Sequence, residues 1–469
     1  MNNKNIQENR TQDMSKYLSS ANAQLLNTLE SEPNLQSYSI NLDTPYFERA
    51  KDFFDCPFEN WPTIVSSEFV SESQWINKEI VRIFKKVLVN FRSQIKSYAA
   101  LKEDNELIEQ SIQNLSNYDD LLGLLLRLDL VISNETFKVI EINSGSSIGG
   151  WTMDFLEQDM QQRLAQLDTI TPIAYRPILE GAMASLITAM EERLGEKQGN
   201  VFIYIDKLEE SRLVDIKKIF EETAVKMNSQ AQLIFFSTTK SIVQGEDGTV
   251  TVDGKKVGAM VFNGLSKRDI TDETYLCLLD ASYRNKMVFP DDMSFALFGA
   301  KHLFALVYED YVQQSLSADE RAFIHKYIPF TFKSNNRSVS WQGEVSTAKA
   351  LLIQNKDSFV LKQAFSSSGK DVVIGLSSTD EEWENLVNEL YDDEKWIAQQ
   401  YFEPDAVEIF SYPFNMIKKS FVWGVFNFNT EYHGAFVRAS FLDQDKVINS
   451  SRGAIDVAIF EESISKELV

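Results

Sequence analysis

Apolar residues recur at intervals of three and four within residues 71–118. Trp75, Ile76, Ile80, Ile83 and Phe84 are followed by Val87, Leu88 and Phe91. That spacing predicts a helix with one apolar stripe, packed on a core rather than lining a cleft. Residues 125–132 and 136–142 are shorter apolar runs parted by Ser133-Asn134-Glu135, which predicts a β-hairpin. A small-residue loop, Ser144 to Gly150, follows it. From 196 to 290 the pattern becomes strand (Val201–Ile205), helix (about 209–228), strand (Gln232–Phe236), two Gly-marked hairpin turns and strand (Val257–Phe262). This alternation predicts a small α/β unit with a parallel sheet. Residues 295–330 read as helices ending at Ile328-Pro329. Residues 358–375 read as strand, loop and strand, followed by a helix at about 379–391 and the strand Trp396–Tyr401. Residues 420–450 read as consecutive strands, and residues 1 to about 30 as a polar, frayed terminus.

The chain divides on this reading into a mainly helical region (1–118), a hairpin with following helices (119–195), the small α/β unit (196–290) and a C-terminal β-rich part (291–469). Its 469 residues carry 46 Lys plus Arg against 69 Asp plus Glu, a net charge of −23. That balance argues against general binding to nucleic acid or an anionic membrane, and leaves a local basic pocket for phosphates open. The N-terminus has no apolar signal core. The most apolar stretch, Leu121–Ile132, contains Arg127 and Asp129 and is too short to span a bilayer, so a cytoplasmic protein is expected. Cys56 and Cys277 form no metal or disulfide pattern, and His302, His325 and His433 have no GxSxG partner for a triad.

Four constellations carry chemistry. Arg127 and Asp129 share one face of the first hairpin strand, as Glu141 and Asn143 do on the second. Three oxygen donors on one surface suit Mg²⁺ completed by phosphate and water; an internal salt bridge is the alternative. Lys362 ends an apolar strand before Ser366-Ser367-Ser368-Gly369-Lys370, a loop able to cover polyphosphate or simply to join two strands. It is not a Walker A loop, because the first glycine is missing and Asp371 stands where Ser or Thr is required. Trp396 to Pro404 is a strand running into a proline hinge, where Gln399 can meet a base and Glu403 a ribose, or an ordinary amphipathic strand. Arg438, with Asn449 to Gly453, is either an anion contact or surface charge.

In this order the motifs resemble the ATP-grasp carboxylate–amine ligases. The likeness is to the circularly permuted branch that includes glutathionylspermidine synthase, in which the acidic metal strands precede the lysine strands. The resemblance spans about residues 120–455. It implies a circularly permuted ATP-grasp fold of mixed α+β and α/β character, with a small α/β pre-ATP-grasp domain at 196–290 and an N-terminal helical region. It assigns Asp129, Glu141 and Asn143 to magnesium, two ions in all. Lys301 (in Gly299-Ala-Lys301-His302), Lys362, Ser366, Ser367, Ser368, Gly369, Gln399 and Glu403 fall to ATP, and Arg127 and Arg438 to the reacting phosphoryl and acyl groups. Ser144, Ser146, Ser147 and Gly149 would face the substrate.

The implied reaction activates a carboxylate as an acyl phosphate, which an amine then attacks, giving an amide, ADP and phosphate. A kinase on the same fold and a nucleotide-binding regulator are the competing readings. The expected partners are a small-molecule or peptide carboxylate and an amine, with no nucleic acid and no membrane. The sequence leaves open both the substrates and the oligomeric state, a homodimer being one option.

Overall fold

A computed structural model describes residues 16–54, 56–94, 121–167, 173–205, 211, 213–262, 271–292, 297–364, 371–413, 415–444 and 446–462. At its centre is a large mixed sheet. Its strands run in the order Thr63–Val65, Ile455–Glu462, Glu431–Phe441, Asn415–Phe428, Leu125–Ser133 and Thr136–Ser144. The first pair is parallel and the rest are antiparallel. Asn415–Phe428 is long enough to serve two neighbours along one edge. Its first half pairs with Ala406–Ser411 and its second half with Leu125–Ser133.

The helix Ser67–Asn90 packs on one face of this sheet, capped by Ser66, whose Oγ accepts from the Phe69 amide. Ile76, Ile80, Ile83, Phe84, Val87 and Leu88 are buried there in one cluster with Leu126, Leu128, Leu130 and Ile132. The helical stripe thus meets the even-numbered side of the hairpin strand, as alternation requires. Trp75 lies at the stripe's margin, 46% exposed, with its ring edge-on to Phe323 and Tyr327.

The small α/β unit is present. Ala259–Phe262, Gln198–Tyr204 and Gln230–Phe236 form a parallel three-stranded sheet, with the helix Val214–Lys226 between the last two in sequence. A separate antiparallel sheet runs Thr331–Lys333, Trp396–Gln400, Phe359–Gln363 and Val372–Ile374. No helix among the described residues is long and apolar enough to cross a membrane.

Two sequence expectations are corrected. The N-terminal segment is not frayed up to residue 30: Ser20–Ser31 is a helix capped by Ser19, with Ala21, Leu25 and Leu29 fully buried. Three apolar positions at i, i+4 and i+8 are enough once they meet a neighbour, and Asn22 ties the helix to Ile64 by accepting its amide at 2.9 Å. Nor do consecutive strands fill 420–450. They stop at Phe441 and resume at Ile455, with a short 3₁₀ turn at Ser450–Arg452, because Asn449 and the serines favour a turn over a ladder.

Candidate active site

The hairpin turn and a bulge in its second strand together fix where the charged strand residues go. Asn134 and Glu135 both have positive φ, the geometry of a two-residue hairpin loop, and both amides donate to the Asp405 carboxylate at 3.0 and 3.1 Å. The register then pairs Arg127 with Asn143 and Asp129 with Glu141, all four on the face opposite the core. Past Asp129 the register slips by one. Ile140 becomes an extra, unpaired residue, so that Val139 and Phe137 still point into the core.

That bulge has a chemical result. The Ile140 carbonyl accepts from Lys362 Nζ at 3.2 Å, joining the hairpin to the separate antiparallel sheet. Lys362 also donates to Gln399 Oε1 at 2.7 Å, and Gln399 Nε2 donates to Thr331 Oγ1 at 3.3 Å. Burial, with Lys301 nearby, pushes the Lys362 ammonium down to about 8 against the pull of Glu141 and Asp129.

On the large sheet, Asp129 holds two guanidiniums. Arg127 Nε and Nη2 donate to its oxygens at 2.7 and 3.1 Å, and Arg438 Nη2 at 2.6 Å. All three side chains are under 10% exposed. Burial would raise the Asp129 carboxyl, and the two guanidiniums outweigh it and hold it far below the usual range. Arg438 Nε is buried with no hydrogen-bond partner among the described residues. Lys301 precedes the short helix His302–Leu306 and pairs with Glu141 Oε1 at 2.9 Å. Gly424 lets these groups close in: a Cβ there would lie 2.2 Å from Phe436 and 3.0 Å from Arg127 Cδ.

Between the two sheets lies a cleft of about 530 Å³. Arg127, Asp129, Glu141, Asn143, Ser147, Gly149, Lys362, Gln399 and Arg438 all line it. Lys301 reaches it through Glu141, and Glu403 through Lys446, whose Nζ donates to Glu403 Oε1 at 3.1 Å on the rim. Beside the charged floor is an apolar slot made by Val131, Ile140, Phe402, Val422 and Ile448. Gly149 O accepts from Arg127 Nη1 at 2.8 Å. Ser146 turns away from the charged floor, and Ser144 pairs with Leu126 in the hairpin ladder. Ser366, Ser367, Ser368 and Gly369 lie outside the described residues.

Sequence reasoning missed two features. Asp291 is half-buried and accepts from the Ser146 amide, the Ser146 hydroxyl and the Phe262 amide, each at 2.7 Å, so it anchors the loop after the hairpin to the small parallel sheet. It stands one residue beyond the boundary drawn at 290, with no motif to mark it. The apolar slot gathers residues from four separate stretches, and only its valines and isoleucines on strands were visible as strand formers.

The donor set bears on magnesium. Among the described residues no group of three or more His, Cys, Asp or Glu is poised as a metal site. Glu141, 28% exposed, and its neighbour Asn143 line the cleft and suit an ion that takes most of its ligands from phosphate and water. Both Asp129 oxygens are held by arginine, so a metal at Asp129 requires a guanidinium to leave it.

No protein-family model and no curated protein matches the chain in sequence. Among solved structures it is similar to a glutathione synthetase-like effector from Globodera pallida, with a TM-score of 0.55 and 12% identity over 93% of this chain and 97% of that one. A putative gamma-glutamylcysteine synthetase from Methylobacillus flagellatus matches at a TM-score of 0.41 and 10% identity, over 82% of this chain and 88% of that one. The first likeness shows a shared fold across nearly the whole of both chains.

Proposed function

We propose that the chain is an ATP-dependent carboxylate–amine ligase with an ATP-grasp active site in the cleft between the two sheets. One observation carries the reading. Among the described residues five cations (Arg127, Arg438, Lys301, Lys362 and, on the rim, Lys446) converge beside an apolar slot against four carboxylates, Asp129, Glu141, Glu403 and Asp456, in a protein of net charge −23. A locally positive floor with a buried, unpartnered guanidinium N–H fits a polyphosphate, and the slot fits a flat base. The fold shared with a glutathione synthetase-like protein supports the same reading.

In this reading Lys301 and Lys362 neutralise phosphate oxygens, while Arg127 and Arg438 hold the transferring phosphoryl group and then the tetrahedral oxyanion. Glu141 and Asn143 would hold magnesium, which would supply charge neutralisation on the phosphates. Asp129 would add a carboxylate to this set only with its guanidiniums turned to the phosphates. The carboxylate substrate attacks the γ-phosphorus and ADP leaves. The amine then attacks the acyl carbon, loses a proton and expels phosphate. No protein nucleophile is required.

The test is ADP release from Mg-ATP across paired carboxylates and amines, with Glu141→Gln as control. Release that needs both substrates and disappears in the variant is expected. Release that proceeds without an amine and leaves a stable phosphorylated product would make the protein a kinase.

A further inference from the structure

The polar cleft does not end the cavity system. A second, apolar pocket of about 110 Å³ lies next to it, behind the loop that follows the hairpin. Ile148 lines both spaces. The two also share a floor. Leu125 stands two residues before Arg127 on the same strand face, roughly 7 Å away. Phe426, also in the pocket wall, is the direct cross-strand partner of Arg127. One face of the large sheet therefore changes from charged to apolar within a single step along the strand.

The far wall comes from Met183 on the helix Ile178–Leu194 and from Ile203 and Phe235 of the small parallel sheet. Among the described residues Ser146 is the one hydroxyl- or charge-bearing residue lining the pocket, and its hydroxyl and amide are both given to Asp291. The lining thus offers no free polar group from Ser146. Trp151, Ile203 and Phe235 remain only half-buried around it. A ligand covering them would remove apolar surface from water.

Resting on the ligase reading, we propose that this pocket selects the substrate: it takes the apolar side group of an amino acid whose carboxylate or amine reacts beside Arg127. The size sets the class. At about 110 Å³ the pocket is smaller than the apolar cavity of about 150 Å³ that holds benzene, so a branched aliphatic side chain fits within it, a single ring fits with one edge in the open mouth, and an indole or a charged chain does not fit. Full burial of a side chain that fits favours it about ten- to a hundredfold over glycine.

Two measurements test this. The first is ADP release with Mg-ATP and a fixed amine over glycine, alanine, leucine, phenylalanine and glutamate. The second is broadening of the ¹⁹F resonance of p-fluorophenylalanine by the protein, without nucleotide. Ala182, on the pocket wall, is changed to Phe to fill the space and to Val as a milder step. Leucine and phenylalanine are expected to outperform glycine by at least tenfold. Ala182→Phe should abolish both that preference and the broadening, Ala182→Val should weaken them, and Mg-ATP affinity by calorimetry should hold in both. Broadening that is absent, or unchanged in both variants, overturns the pocket assignment, as does a preference for glycine or glutamate. Broadening that follows the variants in a protein that binds no Mg-ATP keeps the pocket and removes the ligase reading.

Discussion

Asp129→Asn separates the structural role of Asp129 from its role toward magnesium. The carboxylate accepts three hydrogen bonds from two guanidiniums, and all three side chains are buried. The amide keeps the shape and loses the charge, and its NH₂ would face N–H donors that need an acceptor. Two like charges are then left under the sheet with no counterion between them. Removing one partner from a buried ion pair costs about 3–5 kcal/mol, a large share of the roughly 5–15 kcal/mol that holds a domain together. Urea unfolding followed by tryptophan fluorescence reads this, since Trp423 is fully buried on the strand next to Asp129. The midpoint should fall, and saturating Mg-ATP should recover part of the loss, because phosphate gives the guanidiniums a new anion. A variant that unfolds at the wild-type midpoint and shows only an altered magnesium requirement would refute the argument. Asp129 would then be a metal ligand whose arginine contacts carry no energy.

Other outcomes follow from the same geometry. Glu141→Gln leaves the buried Lys301 ammonium an amide oxygen in place of a carboxylate, so it should cost about 1–3 kcal/mol in stability and lower Mg-dependent ADP release by about a hundredfold or more; equal turnover would remove Glu141 from the site. Lys362 is displaced from 10.5 to about 8, so the unfolded chain binds its proton more tightly. Its contribution to stability is present above pH 10.5 and lost as pH falls through 8, a span of about 3 kcal/mol. Unfolding free energies of wild type and Lys362→Met should therefore shift in favour of wild type between pH 8 and 10.5, and a constant difference would count against a buried ammonium. Asp154, which accepts from the Tyr175 hydroxyl and the Ile178 and Leu179 amides, is raised by burial to about 7. Its contribution is full below pH 3.8 and lost as pH rises through 7, so Asp154→Asn should flatten the stability profile over that window. Gly424→Ala should cost about 1–3 kcal/mol through its clash with Phe436 and depress ADP release by moving Arg127; unchanged release would mean the ring yields freely.

The hairpin was legible because its code is local. Alternation put Arg127 with Asp129, and Glu141 with Asn143, on one face of their own strands from the sequence alone, and the bulge at Ile140 is what turns the two pairs to the same side. The parallel unit at 196–262 was legible for the same reason. The bulge at Ile140 was not, since Val139-Ile140 in sequence looks like any buried pair and only the partner strand shows which residue is extra. The cross-sheet bond from Lys362 to the Ile140 carbonyl was equally hidden, because it joins residues more than 200 positions apart. Asp291 was missed because a lone carboxylate after a strand has no signature until the loop it holds is seen.

The parallel pairing of Thr63–Val65 with Ile459–Glu461 has a consequence for biosynthesis. The first of these strands leaves the ribosome about 400 residues before its partner, which at ~5–20 residues per second is a wait of roughly 20–80 s. During that time the helix Ser20–Ser31 has Ile64 beside it but lacks the C-terminal strand's apolar side chains, Ala458 and Phe460, which complete the shared core. The nascent chain therefore carries an apolar surface that no earlier segment covers, and the large sheet closes only after the last strand is released. Completion of the large sheet therefore waits on the strand Ile455–Glu462, which pairs with both Thr63–Val65 and Glu431–Phe441.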